Sequence, residues 1–125
     1  MDQVSVRYFV DDVDEAKAFY SSLLGFTVDL APAPGFAMLS KGNLRLLLNE
    51  PGKGGAGNAK RDGKAPEPGG FNRFQISIND LAAKVNDLRE EGASFAGELV
   101  EGQGGKQILL EDPSGNLIEL FESTR

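Results

Sequence analysis

A chain with no histidine and no cysteine has few ways to do chemistry. The commonest general base and the commonest transition-metal ligand are missing. So are disulfides, thiol nucleophiles and thiolate metal sites. Carboxylates, two tyrosines, hydroxyls, lysines or a bound cofactor are left. One carboxylate stands apart. In EDPSGNLIELFE, residues 111–122, a tight turn feeds a strand pattern that carries Glu119 among apolar neighbours. An acid removed from water needs a cationic partner, and an arginine fork matches a carboxylate with two hydrogen bonds.

The elements that must position such a group occur twice. VSVRYFV (4–10) alternates Val4, Val6, Tyr8 and Val10 with Ser5, Arg7 and Phe9, which predicts a strand. In DDVDEAKAFYSSLLGF, Asp12 can cap a helix with Glu15 three residues on, and Ala16, Phe19, Tyr20, Leu23 and Leu24 recur at helical spacing. Gly25 is placed to end that helix. FTVDL, FAMLS and NLRLLLN then read as short strands. After residue 70 the order returns. FNRFQISI (71–78) sets Phe74, Ile76 and Ile78 against Arg73, Gln75 and Ser77. Asn79 or Asp80 caps LAAKVNDLREEG, with Leu81, Val85 and Leu88 at helical spacing and Gly92 as the stop. ASFAGELV, KQILLE and NLIELFE read as three more strands.

Asp12 precedes Gly25 by thirteen residues and Asp80 precedes Gly92 by twelve. Both final strands start from a Gly-Asn pair, Gly42-Asn43 and Gly115-Asn116. The expectation is an α+β fold, one domain over 1–125, made of two βαβββ modules in tandem, 1–50 and 71–125. Between them PGKGGAGNAKRDGKAPEPGG (51–70) has seven glycines and three prolines, the composition of a linker or a lid.

At 125 residues, with 40% hydrophobic and 26% charged content, the chain has the make-up of a globular domain. A formal charge of −6 and a pI near 4.6 argue against nucleic acid as a partner. No apolar run approaches the ~20 residues that span a bilayer. The opening MDQVSVRYFV lacks a basic region followed by an apolar stretch, so the expected location is cytoplasmic.

DVDEAKAFYSSLLGF resembles the first-helix signature of the glyoxalase, bleomycin-resistance and dioxygenase superfamily, also called the vicinal oxygen chelate superfamily. EDPSGNLIELFE is similar to its closing signature. The resemblance implies a cup-shaped, half-barrel sheet with helices outside and the ligand inside, shared across a homodimer. The family's metal enzymes take ligands from the first and last strands of both halves, typically histidine on the first and glutamate on the last. Counting from Asp12 and Asp80 carries the first-strand positions to Ser5 and Arg73. Counting from the Gly-Asn turns carries the last-strand positions to Leu46 and Glu119. Of the four, Glu119 alone keeps a metal-ligand side chain of the expected type. One carboxylate does not hold a catalytic divalent ion, and Arg73 would repel one. No metal and no cofactor are expected.

Alternation places Arg7 with Ser5, and Gln75 and Ser77 with Arg73, so a guanidinium from Arg73 or Arg7 could fill the place of a metal and pair with Glu119. Such a pair either keeps the cavity polar or, with Gln75, orients a ligand's polar groups. Leu44, Leu46, Leu48, Leu117 and Phe121 are expected on the inward face as apolar walls, with Phe9 at the mouth.

Other signals carry less. GKGGAG (52–57) has the G-x-G-x-x-G spacing without the helix that must follow it, and GNAKRDGK (57–64) misses the P-loop spacing. Lys53, Lys60, Arg61 and Lys64 form a basic cluster, either a solvated linker or a lid that meets an anionic group. The acidic surface favours cationic ligands, whereas Arg73 favours an acceptor.

The reading is a metal-independent small-molecule binding protein of the bleomycin-resistance type, sequestering an amphipathic ligand such as an antibiotic. Ser5, Arg7, Phe9, Leu46, Leu48, Arg73, Gln75, Glu119 and Phe121 are the candidate contacts. The alternative is a divergent glyoxalase-like lyase, isomerase or dioxygenase with Glu119 as general base. A third class, an interaction module with a vestigial cavity, predicts a pocket filled by its own side chains.

Overall fold

A computed structural model of the protein describes residues 2–124. It divides into two compact units, Met1–Gly69 and Gly70–Arg125.

The first unit runs β1 (Ser5–Phe9), α1 (Val13–Leu24), β2 (Thr27–Ala33), β3 (Phe36–Lys41), β4 (Leu44–Asn49) and a single turn, α2 (Gly54–Gly57). Its sheet has the order β1-β4-β3-β2, with β1 parallel to β4 and the other pairs antiparallel. The second unit runs β5 (Arg73–Ser77), α3 (Leu81–Glu90), β6 (Ser94–Phe95), β7 (Val100–Glu101), β8 (Gly105–Glu111) and β9 (Leu117–Ser123). Its sheet has the order β5-β9-β8-β6, β7 also pairing with β8, and β5 parallel to β9. Both units are therefore α+β with mixed sheets. ASFAGELV differs from the single strand expected. After Ser94 and Phe95 the chain leaves β8 at Gly97 and rejoins it at Val100, so two short pairings replace one continuous strand.

Both helices start where the sequence places their caps. Asp12 accepts from the Glu15 N–H and Asp80 from the Ala83 N–H, each at 3.1 Å. These bonds satisfy amide donors that a helix start otherwise leaves open. A second acid reaches each start from the end of the last β-strand segment of its own unit, Glu50 just after β4 and Glu122 within β9. Glu50 Oε2 accepts from the Val13 N–H at 2.9 Å, and Glu122 Oε1 accepts from the Leu81 N–H at 2.8 Å. Backbone bonds match in the same way: Val10 donates to the Asn49 carbonyl and Ile78 to the Phe121 carbonyl. The two units thus repeat each other bond for bond at the helix entry.

That repeat fixes which residues correspond, and it corrects one expectation. Val6 and Tyr8 pair with Leu46 and Leu48, so these leucines face α1 with them and are 0% exposed. They do not share a face with Ser5, Arg7 and Phe9, whose partners are Arg45, Leu47 and Asn49. Leu44, two residues before Leu46, falls with Leu46 by alternation. The reason is turn length. Lys41 pairs with Leu44 across the two residues Gly42-Asn43, whereas Glu111 pairs with Leu117 across five. Counting from Gly-Asn is one residue off between the halves, and a one-residue slip moves every side chain to the other face.

The apolar face of each sheet lies under its helix. Tyr8, Val10, Ala16, Tyr20, Leu39, Leu46 and Leu48 are buried in the first unit, and Leu81, Leu88, Ile108, Leu110, Ile118 and Leu120 in the second. Burying one such leucine or isoleucine is worth roughly 1.5–3 kcal/mol. The opposite faces carry the polar candidates. Among the described residues no helix is long and apolar enough to cross a membrane.

Candidate functional site

In the second unit the parallel pairing of β5 and β9 sets Gln75 beside Glu119, with Arg73 and Phe121 on the same face. Arg73 is the guanidinium that Glu119 meets. Its Nε donates to Glu119 Oε1 at 3.0 Å, and its Nη2 lies 3.0 Å from the same oxygen. The other oxygen, Oε2, accepts from Gln75 Nε2 at 2.6 Å. The fork therefore closes on one oxygen instead of spanning both, because Gln75 holds the second. Arg73 also donates through Nη2 to Gln107 Oε1 at 3.3 Å and through Nη1 to the Phe71 carbonyl at 3.4 Å. With side-chain exposures of 29% and 12%, Arg73 and Glu119 are partly shielded from solvent. Gln107 lies on the adjacent strand β8 opposite Phe121. Its part is invisible in the sequence, where nothing distinguishes it from an ordinary strand residue.

In the first unit Ser5, Arg7 and Phe9 lie on the sheet face away from α1. Residues 50–69 belong to this unit, and the Glu50 N–H donates to the Gly35 carbonyl at 2.9 Å. Gly57 is buried, and a Cβ there would sit 2.6 Å from the Glu50 carbonyl oxygen, so the close approach requires glycine. Asp62 and Gly63, with φ of 51° and 78°, turn the chain between Arg61 and Lys64. Those two residues exchange both backbone hydrogen bonds, at 3.0 and 2.9 Å. This is a two-residue hairpin, and Asp-Gly is its strongest short signal. The signal lies in RDGK, inside the stretch whose spacing fails as a P-loop. The hairpin and the α2 turn border a cleft of about 710 Å³ whose lining includes Arg7, Phe9, Arg61 and Lys64.

Glu50 also bonds Lys53, with Nζ and Oε1 2.9 Å apart. The Val13 N–H and the Lys53 ammonium hold the Glu50 carboxyl below its ordinary range, and Glu50 holds the Lys53 ammonium above its own.

The chain matches the Glyoxalase/Bleomycin resistance protein/Dioxygenase superfamily over residues 2–120. It belongs to that superfamily. Among solved structures it is similar to a lactoylglutathione lyase from Agrobacterium tumefaciens, with 22% identity, 95% of this chain and 91% of that one covered, and a TM-score of 0.73. It is also similar to TnmS3, an antibiotic binding protein from a Streptomyces species, with 23% identity, coverages of 99% and 98%, and a TM-score of 0.71. A superfamily member from Sphaerobacter thermophilus gives 22% identity, coverages of 98% and 99%, and a TM-score of 0.73. No curated protein matches.

The superfamily implies a metal in many of its enzymes, and the residues of this chain do not fit one. The repeat pairs Glu119 with Leu47, and the first-strand positions are Ser5 and Arg73. Leu47 has no donor, Arg73 is a fixed cation, and both Glu119 oxygens already accept hydrogen bonds from the protein. Among the described residues no group of three or more Asp and Glu is placed to hold an ion.

Proposed function

We propose that this protein binds an amphipathic small molecule without a metal, in the manner of the bleomycin-resistance branch of its superfamily, and that an antibiotic is a fitting ligand. One observation carries the reading: the glutamate that would hold a metal is held instead by Arg73 and Gln75. The likeness of the fold to an antibiotic binding protein supports it. Ser5, Arg7 and Phe9 are the proposed contacts in the first unit; for the second unit, taken by itself, Gln75 and Phe121 are proposed. Leu46 and Leu48 serve the core under α1.

The test is a melting screen of amphipathic small molecules in the presence of a chelator. The expected outcome is at least one saturable rise in melting temperature that the chelator leaves unchanged. Stabilisation that disappears with chelator contradicts the reading.

The lyase reading draws on the likeness to the lactoylglutathione lyase. As a general base Glu119 would first have to leave Arg73 and Gln75, since a base must sit within hydrogen-bond reach of its proton. Turnover of a 2-oxoaldehyde–glutathione adduct that is lost in Glu119→Gln would establish it. We further propose a cytoplasmic homodimer. Val28 and Leu30, 41% and 48% exposed on the edge strand β2, are apolar residues that a partner would cover. A single monomer mass in sedimentation velocity contradicts the dimer.

A further inference from the structure

Two kinds of cation stand near the open sheet faces or on the hairpin beside them. Arg73 is spent: its Nε, Nη1 and Nη2 all donate to Glu119, Phe71 or Gln107. Arg7, Arg61 and Lys64 differ. Among the described residues none of the three forms an ion pair, yet all three border the same 710 Å³ cleft. Two of them are fixed by the Asp62-Gly63 hairpin, whose paired backbone bonds set where both side chains leave the chain. Arg7 leaves from the regular strand β1. Cations gathered on ordered backbone lose less freedom on meeting a ligand than cations on a loose linker.

The remaining lining completes the chemistry. Phe9, Ala56 and Pro66 offer an apolar surface beside the cations. Asp62 and Glu67 also line the cleft, so three positive groups meet two negative ones. That leaves one surplus positive charge, in a protein whose formal charge is −6. One surplus charge suits a monoanion more than a dianion. It also resolves the opposed clues in the sequence, since the acidic surface is general while the basic cleft is local.

We propose that this cleft is an anion-anchored binding site. Arg7, Arg61 and Lys64 receive the single negative group of an amphipathic molecule, a carboxylate or sulfonate, while its apolar body lies against Phe9, Ala56 and Pro66. This deepens the binding reading and rests on it, adding the charge and polarity of the ligand.

The experiment uses a matched pair of dyes, anilinonaphthalene sulfonate and its neutral parent phenylnaphthylamine, titrated by fluorescence into the full chain with chelator present. The wild type is expected to bind the sulfonate about tenfold more tightly, the order of one charge-assisted contact. In the double variant Arg61→Gln/Lys64→Gln that preference disappears while neutral-dye affinity stays the same. Arg7→Gln reduces the preference in the same direction. Both hairpin side chains are exposed, so the double variant is expected to melt at the wild-type temperature. Equal affinity for the two dyes, a parallel loss of both in the double variant, or no sulfonate binding overturns the proposal. Equal affinity would leave metal-free binding standing. Metal-dependent turnover, measured separately, would count against that reading and leave the anion site standing.

Discussion

Glu119 is a strand carboxylate whose two oxygens are each held by a side chain of the neighbouring strand. Arg73 meets one oxygen and Gln75 the other, so the acid is satisfied while partly shielded. Hydrogen bonds to charged groups contribute roughly 1.5–3 kcal/mol when removal strands a partner. Arg73→Ala and Glu119→Ala are each expected to cost about that much in urea unfolding. The double variant is expected to cost less than the sum, with a coupling of about 1 kcal/mol. Strictly additive losses would mean that the two side chains do not support each other. The sequence offers Arg73 or Arg7 as the partner of Glu119, and the pairing of β5 with β9 selects Arg73. Gln107 was not legible in the sequence, since its contribution depends on which strand lies next to β9.

At the scale of elements, the other strands, both helices and the Asp12 cap follow from local pattern, whereas the split of ASFAGELV, the choice of Asp80 over Asn79 and the register do not. Leu46 and Leu47 look equivalent in NLRLLLN. Their faces are decided by the two-residue turn before β4 and by pairing with β1, which are non-local facts. The glutamates that reach the helix starts were missed for a similar reason. Glu50 and Val13 are 37 positions apart, and Glu122 and Leu81 are 41 apart. Their work has a pH signature. The folded-state pKa of Glu50 is lowered, chiefly by the Val13 N–H and then by Lys53. Its stabilisation is therefore present above the ordinary glutamate pKa and is lost as pH falls through the lowered folded value. Glu50→Gln is expected to flatten this acid limb of stability against pH and, because Glu50 also holds the Lys53 ammonium above its ordinary range, to remove the part of the alkaline limb that the Lys53 pairing supplies. An acid limb identical to wild type would show that Glu50 does not stabilise the helix start. The 51–70 stretch was legible as Gly- and Pro-rich, but its Asp-Gly hairpin requires reading RDGK as a turn.

The whole molecule is a duplication in which each unit repeats the helix cap, the helix-entry glutamate and the parallel first-to-last strand pairing. What differs between the repeats is the chemistry at corresponding positions: Ser5 against Arg73, Leu47 against Glu119. One fold hosts many functions, so these positions, and not the shared frame, bear on what the protein does. The most direct measurement is thermal melting of chelator-stripped protein with Ni, Zn, Mn, Fe(II) and Mg ions added one at a time. An ion bound specifically, at about 100 times its dissociation constant, adds about 2.7 kcal/mol, or several degrees for a domain of about this size. No saturable shift is expected with any of them. A saturable shift that Glu119→Gln abolishes would show that Glu119 holds a metal and that Arg73 gives way to it.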